Sequence, residues 1–299
     1  MTAGPGRLPT LHTWPVTDPA GARWQKLVRA RLGEMERLQP GRGALGADFW
    51  DGRAKRYASR LPVETATSDP FFRRLRRATG RRSTVLDVGS GPGRFTLALA
   101  PHVGAVTAVD PSGGMLDICR RQARKLALDN VTCVQGRWEE VRVPPAHVVF
   151  SSFVVTLVAD APRFLRKLDA AATERAFLYL GAYTADAVMD PLWRHFHGRS
   201  RRPGPTYLDA VHVLRELGLA PDVEVVEVPT RGRFKTVAAA ARSYREELCL
   251  PDTPEVRKEL RGLLGHWLIR RDEHLAAPLK TVPAAIISWA PSGKGHGRN

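Results

Sequence analysis

The chain has 299 residues, a formal net charge of +16, 43% hydrophobic and 25% charged residues, and three cysteines. That length suits one α/β domain with additions rather than two full domains, and the longest apolar stretch, 146–159, is interrupted by Ser151, Ser152 and Thr156 and is too short to span a bilayer. The N-terminal MTAGPGRLPTLHTWPV has no apolar core of the signal-peptide kind, and Cys119, Cys133 and Cys249 form no C-x-x-C pair, so the expectation is a cytoplasmic protein with free thiols and no membrane partner.

Residues 17–37 have helical spacing, with Trp24, Leu27, Val28, Leu32 and Met35 on one stripe. A Pro/Gly-rich break at 39–46 follows, and Asp48 is placed to cap a second helix carrying Phe49, Trp50, Ala54 and Tyr57. Ser68-Asp69-Pro70 is a cap followed by a first-turn proline. It predicts a third helix that buries Phe71, Phe72, Leu75 and Ala78 and turns Arg73, Arg74, Arg76 and Arg77 outward. Residues 1–82 therefore read as a helical N-terminal cap.

Of the 46 basic residues 38 are arginine, a bias that a G- and C-rich codon preference also produces. The distribution is more telling. Residues 53–82 hold nine arginines and Lys55 against Glu64 and Asp69, a local +8. Such a face can attract nucleic acid, although a solvated helix face is the plainer reading and the favoured one.

The core begins with VLDVGSGPGRFTLALAPHVGAVTAVD, residues 85–110. An apolar β-rich run ends in the loop Gly89-Ser90-Gly91-Pro92-Gly93, a helix-compatible segment follows, and a second apolar run closes on Asp110. This is a nucleotide-binding half of a doubly wound sheet. The glycines admit a ligand to the backbone, and the helix N-terminus offers unpaired N–H groups. A dinucleotide loop needs G-x-G-x-x-G/A, but here the third glycine comes one residue early and Arg94 stands where a small residue belongs.

Further on, strands are expected at 131–135, 147–152, 175–181, 223–228 and 284–289, after 84–88 and 105–109. Helices near 94–101, 113–128, 160–172 and 206–217 alternate with them. Two segments exceed a minimal core. Residues 182–205 contain Tyr183, Trp193, His195, Phe196 and His197, and 229–283 carries expected helices at 236–249 and 254–274. Both leave from carboxyl ends of strands, the edge where open α/β sheets bind ligands. A flexible tail, 291–299, ends the core domain of 83–290.

The loop G-x-G-x-G preceded by Asp87 and followed by Asp110 resembles motif I of class I S-adenosylmethionine-dependent methyltransferases, with good motif detail over residues 48–182. The resemblance implies a Rossmann-like mixed seven-stranded sheet with a helical insertion before the last strand, and S-adenosylmethionine as cofactor. It implies that Gly89, Gly91 and Gly93 hold the methionine part, with Asp87 beneath and Asp110 on the ribose hydroxyls. In the third motif Arg137 stands where related enzymes place an acid, so adenine recognition falls to the Trp138 neighbourhood. In the fourth, Ser151 and Ser152 end the strand beside the expected methyl group, and His147 replaces an acid at its start. Phe49-Trp50-Asp51…Tyr57 resembles an element whose tyrosine closes over the cofactor's amino-acid end.

The reaction expected is methyl transfer to a small or medium-sized acceptor on O, N or C. An RNA-modifying enzyme is the alternative, and a non-catalytic cofactor-binding or assembly protein the alternative of another class. No motif names a base. His195, His266 and Tyr183 are the candidates, with His197 and His212 behind them, and Trp193 and Tyr244 are expected to line the acceptor pocket with His266 or Arg270. His195-x-His197 has no carboxylate or cysteine at ligand spacing, so no metal is expected. Oligomeric state is not encoded in any motif.

Overall fold

The computed structural model describes residues 19–40, 46–60, 63–182, 188–230 and 232–294, with the backbone alone at 56, 59, 60 and 294. Its strands in chain order are β1 (Thr84–Val88), β2 (Ala105–Asp110), β3 (Val131–Gln135), β4 (Ala146–Ser152), β5 (Ala172–Gly181), β6 (Asp222–Pro229), β7 (Ile269–Arg271), β8 (His274–Ala276) and β9 (Thr281–Trp289). Seven of them form one mixed sheet in the order β3-β2-β1-β4-β5-β9-β6. β1 to β5 are parallel, and β9 pairs antiparallel with both β5 and β6. Two antiparallel pairings restore direction, so the carboxyl end of β6 lies on the same sheet edge as those of β1 to β5.

The strands read as apolar runs because they are covered on both faces. Val148, Val149, Phe150, Leu178 and Leu180 are fully buried. The two edge strands are less covered: β3 has no fully buried residue, and β6 exposes Val223 and Val225.

The helices are α1 (Ala20–Leu38), α2 (Ala47–Asp51), α3 (Ala54–Arg60), α4 (Pro70–Arg77), α5 (Arg94–Leu99), α6 (Gly113–Lys125), α7 (Ala161–Ala171), α8 (Asp190–His197), α9 (Tyr207–Glu216), α10 (Val237–Glu247) and α11 (Pro254–Trp267). One side of the sheet packs α1, α7 and α9 through Trp24, Val28, Phe164, Leu168 and Leu214. The other packs α4 and α5 through Phe71, Leu75, Phe95 and Leu99. Asp69 caps α4 as its sequence announces, accepting from Phe71 N at 2.9 Å with Pro70 in the first turn.

Two expected elements differ. The helix after residue 46 breaks at Gly52 into α2 and α3, and Asp48 lies inside the first turn rather than at the cap. The helix expected over 254–274 stops at Trp267. Asp272, with φ of 52°, then turns the chain between β7 and β8, and Phe234 adds a bridge to Leu275. A left-handed Asp in a two-residue connection is ordinary hairpin chemistry, and here it overrides the helical spacing of the apolar residues.

The two insertions share a core of their own. Leu192 and Trp193 of α8 pack with Ala241, Tyr244 and Leu248 of α10 and with Leu260 and Leu264 of α11. The larger insertion leaves the sheet at a neck closed by Thr230 N donating to Lys280 O at 2.9 Å. Gln39, just past α1, donates to Leu250 O, which ties the N-terminal cap to this lid.

Candidate active site

The glycine loop follows β1, and its three glycines do different work. All have positive φ, 74° at Gly89, 54° at Gly91 and 87° at Gly93. A Cβ on Gly89 would lie 2.3 Å from Val154 Cγ2, and one on Gly93 2.5 Å from Cys119 Sγ. Those two are needed for packing. Gly91 faces open space, its nearest neighbour being the Tyr57 ring at 4.0 Å. Gly89→Ala and Gly93→Ala should each destabilise by about 2–5 kcal/mol, from left-handed strain plus overpacking. Gly91→Ala carries only the strain, about 1–2 kcal/mol. Thermal unfolding of the three variants checks this; equal losses would contradict the division of roles.

Asp110 ends β2 with one carboxylate oxygen accepting from Gly91 N (2.8 Å) and the other from Ser112 N (2.9 Å). It is 8% exposed. Asp87 lies beneath the loop, 2% exposed, accepting from Thr96 Oγ1 at 2.6 Å. Burial pushes the Asp87 carboxyl up to about 7, the Thr96 hydrogen bond opposes the rise and nearby Asp110 adds to it. Asp110 is also raised by burial, against its two backbone donors, with Asp51 raising it further.

Asp51 was not singled out as a site residue in the sequence. It reaches from α2 to the start of α6, accepting from Ser112 Oγ (2.5 Å) and Gly114 N (2.8 Å). Three carboxylates thus gather around one loop, two of them with raised proton affinity. Such a site favours a ligand that carries positive charge.

Asp87, Gly89, Gly91, Tyr57, Arg94, Ser152 and Phe153 surround a cavity of about 50 Å³. Tyr57 closes one side, its ring edge-on to Trp50 at 5.9 Å, so the break between α2 and α3 leaves the two aromatics in contact.

Beside it is a cavity of about 1120 Å³ that runs from Arg94 and Tyr179 to the inner faces of α10 and α11. Arg94 lines both spaces. Phe153 and Tyr179 stand between them, ring centroids 4.8 Å apart. Phe153 holds φ at 57°, an unusual backbone for a phenylalanine, fixed by its N–H donating to Tyr179 O at 2.7 Å. Behind them the Tyr179 hydroxyl donates to Asp69 Oδ1 (3.1 Å), while the Arg94 guanidinium donates to Asp69 Oδ2 (3.0 Å) and to Thr65 O. This Tyr179–Asp69–Arg94 network sits where the two spaces meet. Sequence reading missed it, because Asp69 announces itself only as a helix cap and Tyr179 only as a strand residue.

Several expected site residues lie elsewhere. Trp138 belongs to the core, its indole N–H donating to Phe164 O at 3.2 Å, so its ring is not free to face a ligand. Arg137 is an exposed residue paired with Glu140 at 3.5 Å. Ser151 is buried and donates to Val88 O; its neighbour Ser152 lines the cavity instead. His147 lies at the opposite end of β4 against Thr84.

The expected lid residues also lie away from the cavities. Trp193 and Tyr244 are buried in the lid's own core, where Tyr244 meets Phe234 and Trp267. His195 faces outward against Glu259 at 2.8 Å, and His266 is exposed beside Gly262 O of its own helix. Neither histidine nor Arg270 lines either cavity. His197 contacts Leu248 O, and His212 is on the surface. Tyr183 lies outside the described residues. Among the described residues no group of three or more His, Cys, Asp or Glu could hold a metal.

A family model described as a methyltransferase domain matches residues 85–173, the stretch that holds the glycine loop, Asp87 and Asp110. An uncharacterized protein of Haemophilus influenzae is 31% identical over 221 residues, 73% of this chain and 80% of that protein. The chain carries a methyltransferase domain in the class I methyltransferase fold. The fold of this methyltransferase is similar to that of the YcgJ protein from Bacillus subtilis, with a TM-score of 0.52 at 17% identity over 73% of this chain and 97% of that one. A shorter match, 40% identity over 78 residues, is to the ribosomal RNA small subunit methyltransferase G of Streptomyces coelicolor, 25% of this chain and 33% of that enzyme.

The residues fit the family's cofactor on the structure's own evidence. Buried carboxylates with raised proton affinity suit its cationic groups, and each Asp110 oxygen keeps a second acceptor direction for a hydroxyl.

Proposed function

We propose that this protein transfers a methyl group from S-adenosylmethionine to a small or medium-sized acceptor, on oxygen, nitrogen or carbon, held in the cavity beneath α10 and α11. The observation that carries the reading is adjacency: Arg94, first residue of α5 after the glycine loop, lines both that cavity and the loop's own. Asp110 would hold the ribose hydroxyls, Asp87 the amino-acid end, and Gly91 would leave room for it under Tyr57. The loop cavity of about 50 Å³ takes only that end of the ligand, and the nucleoside would extend along the open side at Asp110.

When bound, the cofactor supplies a methyl group on a sulfonium that needs no further activation. The protein's part is then to align a nucleophile, exclude water and accept a proton. Phe153 and Tyr179 form the apolar wall at the junction. The Tyr179 hydroxyl, oriented by Asp69, takes the role the histidines were expected to fill, because Tyr179 lines the acceptor cavity at its junction with the loop.

The test has two readouts. Calorimetry measures S-adenosylmethionine affinity, and transfer of label from tritiated cofactor into a small-molecule cell extract measures turnover. Tyr179→Phe should lower turnover by about 10²-fold with cofactor affinity unchanged. Cofactor binding with no transfer into any fraction would favour the non-catalytic alternative.

An RNA substrate is the second reading, supported by the exposed Arg73, Arg77, Arg81 and Arg82 and by the partial likeness to a ribosomal RNA enzyme. α4 turns Arg73 and Arg77 outward, whereas Arg74 and Arg76 are half-buried and Arg74 is near Glu224 at 3.8 Å. We expect RNA binding to be weak and nonspecific, vanishing near about 0.15 M salt. A structure-selective complex that persists there, and whose log–log salt slope flattens when Arg73, Arg74, Arg76 and Arg77 become Gln, would establish the RNA reading instead. No helix among the described residues is long and apolar enough to cross a membrane.

A further inference from the structure

We infer that the acceptor carries a carboxylate or phosphate group, received by Arg242 and Arg261 on the inner faces of the lid helices. The inference rests on the larger cavity being the acceptor space and adds the acceptor's charge. Six arginines line that cavity, 94, 233, 242, 245, 257 and 261, against three carboxylates, Asp69, Glu246 and Asp252.

Following each partner shows where the excess lies. Arg94 is engaged by Asp69 at 3.0 Å. Arg245 and Arg257 converge on the one carboxylate of Asp252, at 3.4 and 3.1 Å. Glu246 is drawn toward Arg53, at 3.9 Å. Among the described residues Arg233 reaches His274 Nδ1, at 3.5 Å. Arg242 and Arg261 make no hydrogen bond or ion pair among the described residues, and both are exposed to the cavity's water.

An arginine on a helix surface is ordinarily just solvated. Three features set these two apart. First, they stand on two packed helices, α10 and α11, that both border one concave space. Second, their neighbours on the lining stripes leave room beside them. Ala238, Ala241, Arg242 and Arg245 fall at i, i+3, i+4 and i+7, and Arg257, Leu260 and Arg261 at i, i+3 and i+4. The stripe is alanine where a bulky residue would fill the cavity. Third, six guanidinium groups against three carboxylates leave the cleft net positive, and a concave wall focuses that potential. A planar guanidinium fork matches carboxylate and phosphate oxygens in a bidentate way. A neutral or cationic acceptor would leave this charge uncompensated.

Citrate and inorganic pyrophosphate are suitable probes, with trimethyl citrate as the uncharged control, titrated calorimetrically into the full chain with and without S-adenosylhomocysteine. We expect one of the anions to bind and trimethyl citrate not to; whichever anion binds tighter assigns carboxylate or phosphate. Arg242→Gln with Arg261→Gln should weaken that binding about tenfold or more. The Lys pair should restore part of it, and Arg73→Gln with Arg77→Gln, on outward α4, should leave it unchanged. Failure of both anions to bind, or binding indifferent to Arg242 and Arg261, overturns the inference. So does a 20-nucleotide RNA that binds through the same two arginines more tightly than either anion. Failure of S-adenosylmethionine itself to bind would instead overturn the methyltransferase reading, and the cofactor-free titration would still decide the cavity.

Discussion

Replacing Asp110 with alanine should lower S-adenosylmethionine affinity by about a hundredfold or more, since two hydrogen bonds to a charged carboxylate contribute about 1.5–3 kcal/mol each. The effect has a second source in this chain. The same carboxylate holds Gly91 N and Ser112 N, so it fixes both the glycine loop and the start of α6. Asp110→Asn keeps one carbonyl acceptor and should fall between wild type and alanine. Thermal unfolding run beside the titration separates a loosened loop from an unfolded protein. Wild-type binding no tighter than that of Asp110→Ala would remove Asp110 from the cofactor site.

The sheet and the glycine loop were readable from the sequence because the interactions that make them are local or repeat along the chain. β1, β4 and β5 are buried on both faces over most of their length, so they appear as largely apolar runs, and the loop's spacing is set within five residues. Residue types alone could not separate packing glycines from a ligand-facing one. Gly89 and Gly93 are required by Val154 and Cys119, which reach the loop through the fold rather than along the chain. Trp138 was misread for a similar reason: its motif position points to a ligand, whereas its Phe164 partner points to the core.

The lid shows where periodicity misleads. Its apolar stripes, including Tyr244, Leu260 and Leu264, mark the side of each helix that packs against the other helices of the lid. Most of that side is taken up by the lid's own core, and of its residues Ala241 and Leu260 also border the cavity. The charged part of its lining comes from the flanking residues, Arg242, Arg245 and Arg261, which in sequence look like an ordinary polar border. The junction network had no periodic or spaced signal at all, since Asp69 and Tyr179 are 110 residues apart and meet only through the sheet.

Asp87 should make both stability and cofactor binding depend on pH, in opposite senses. Its folded pKa is raised to about 7, chiefly by burial, so the folded cofactor-free protein holds a proton there that the unfolded chain releases near pH 4. The folded state binds more protons over that window, and stability from this group is full below about pH 4 and declines as pH rises toward about 7. Thermal unfolding of the cofactor-free protein should therefore lose ground between those limits relative to Asp87→Asn, which has no charge to bury. A cation beside Asp87 reverses the preference, because it stabilises the carboxylate that burial disfavours. Binding of S-adenosylmethionine at about pH 6 should then release nearly one proton, falling toward none at about pH 8. Calorimetry in buffers of different ionisation enthalpy reads that number directly. Asp87→Asn should abolish the release and weaken binding most at the higher pH, where the wild-type carboxylate is already ionised. Proton release that is unchanged in Asp87→Asn would assign the linkage to another group and leave Asp87 a structural residue.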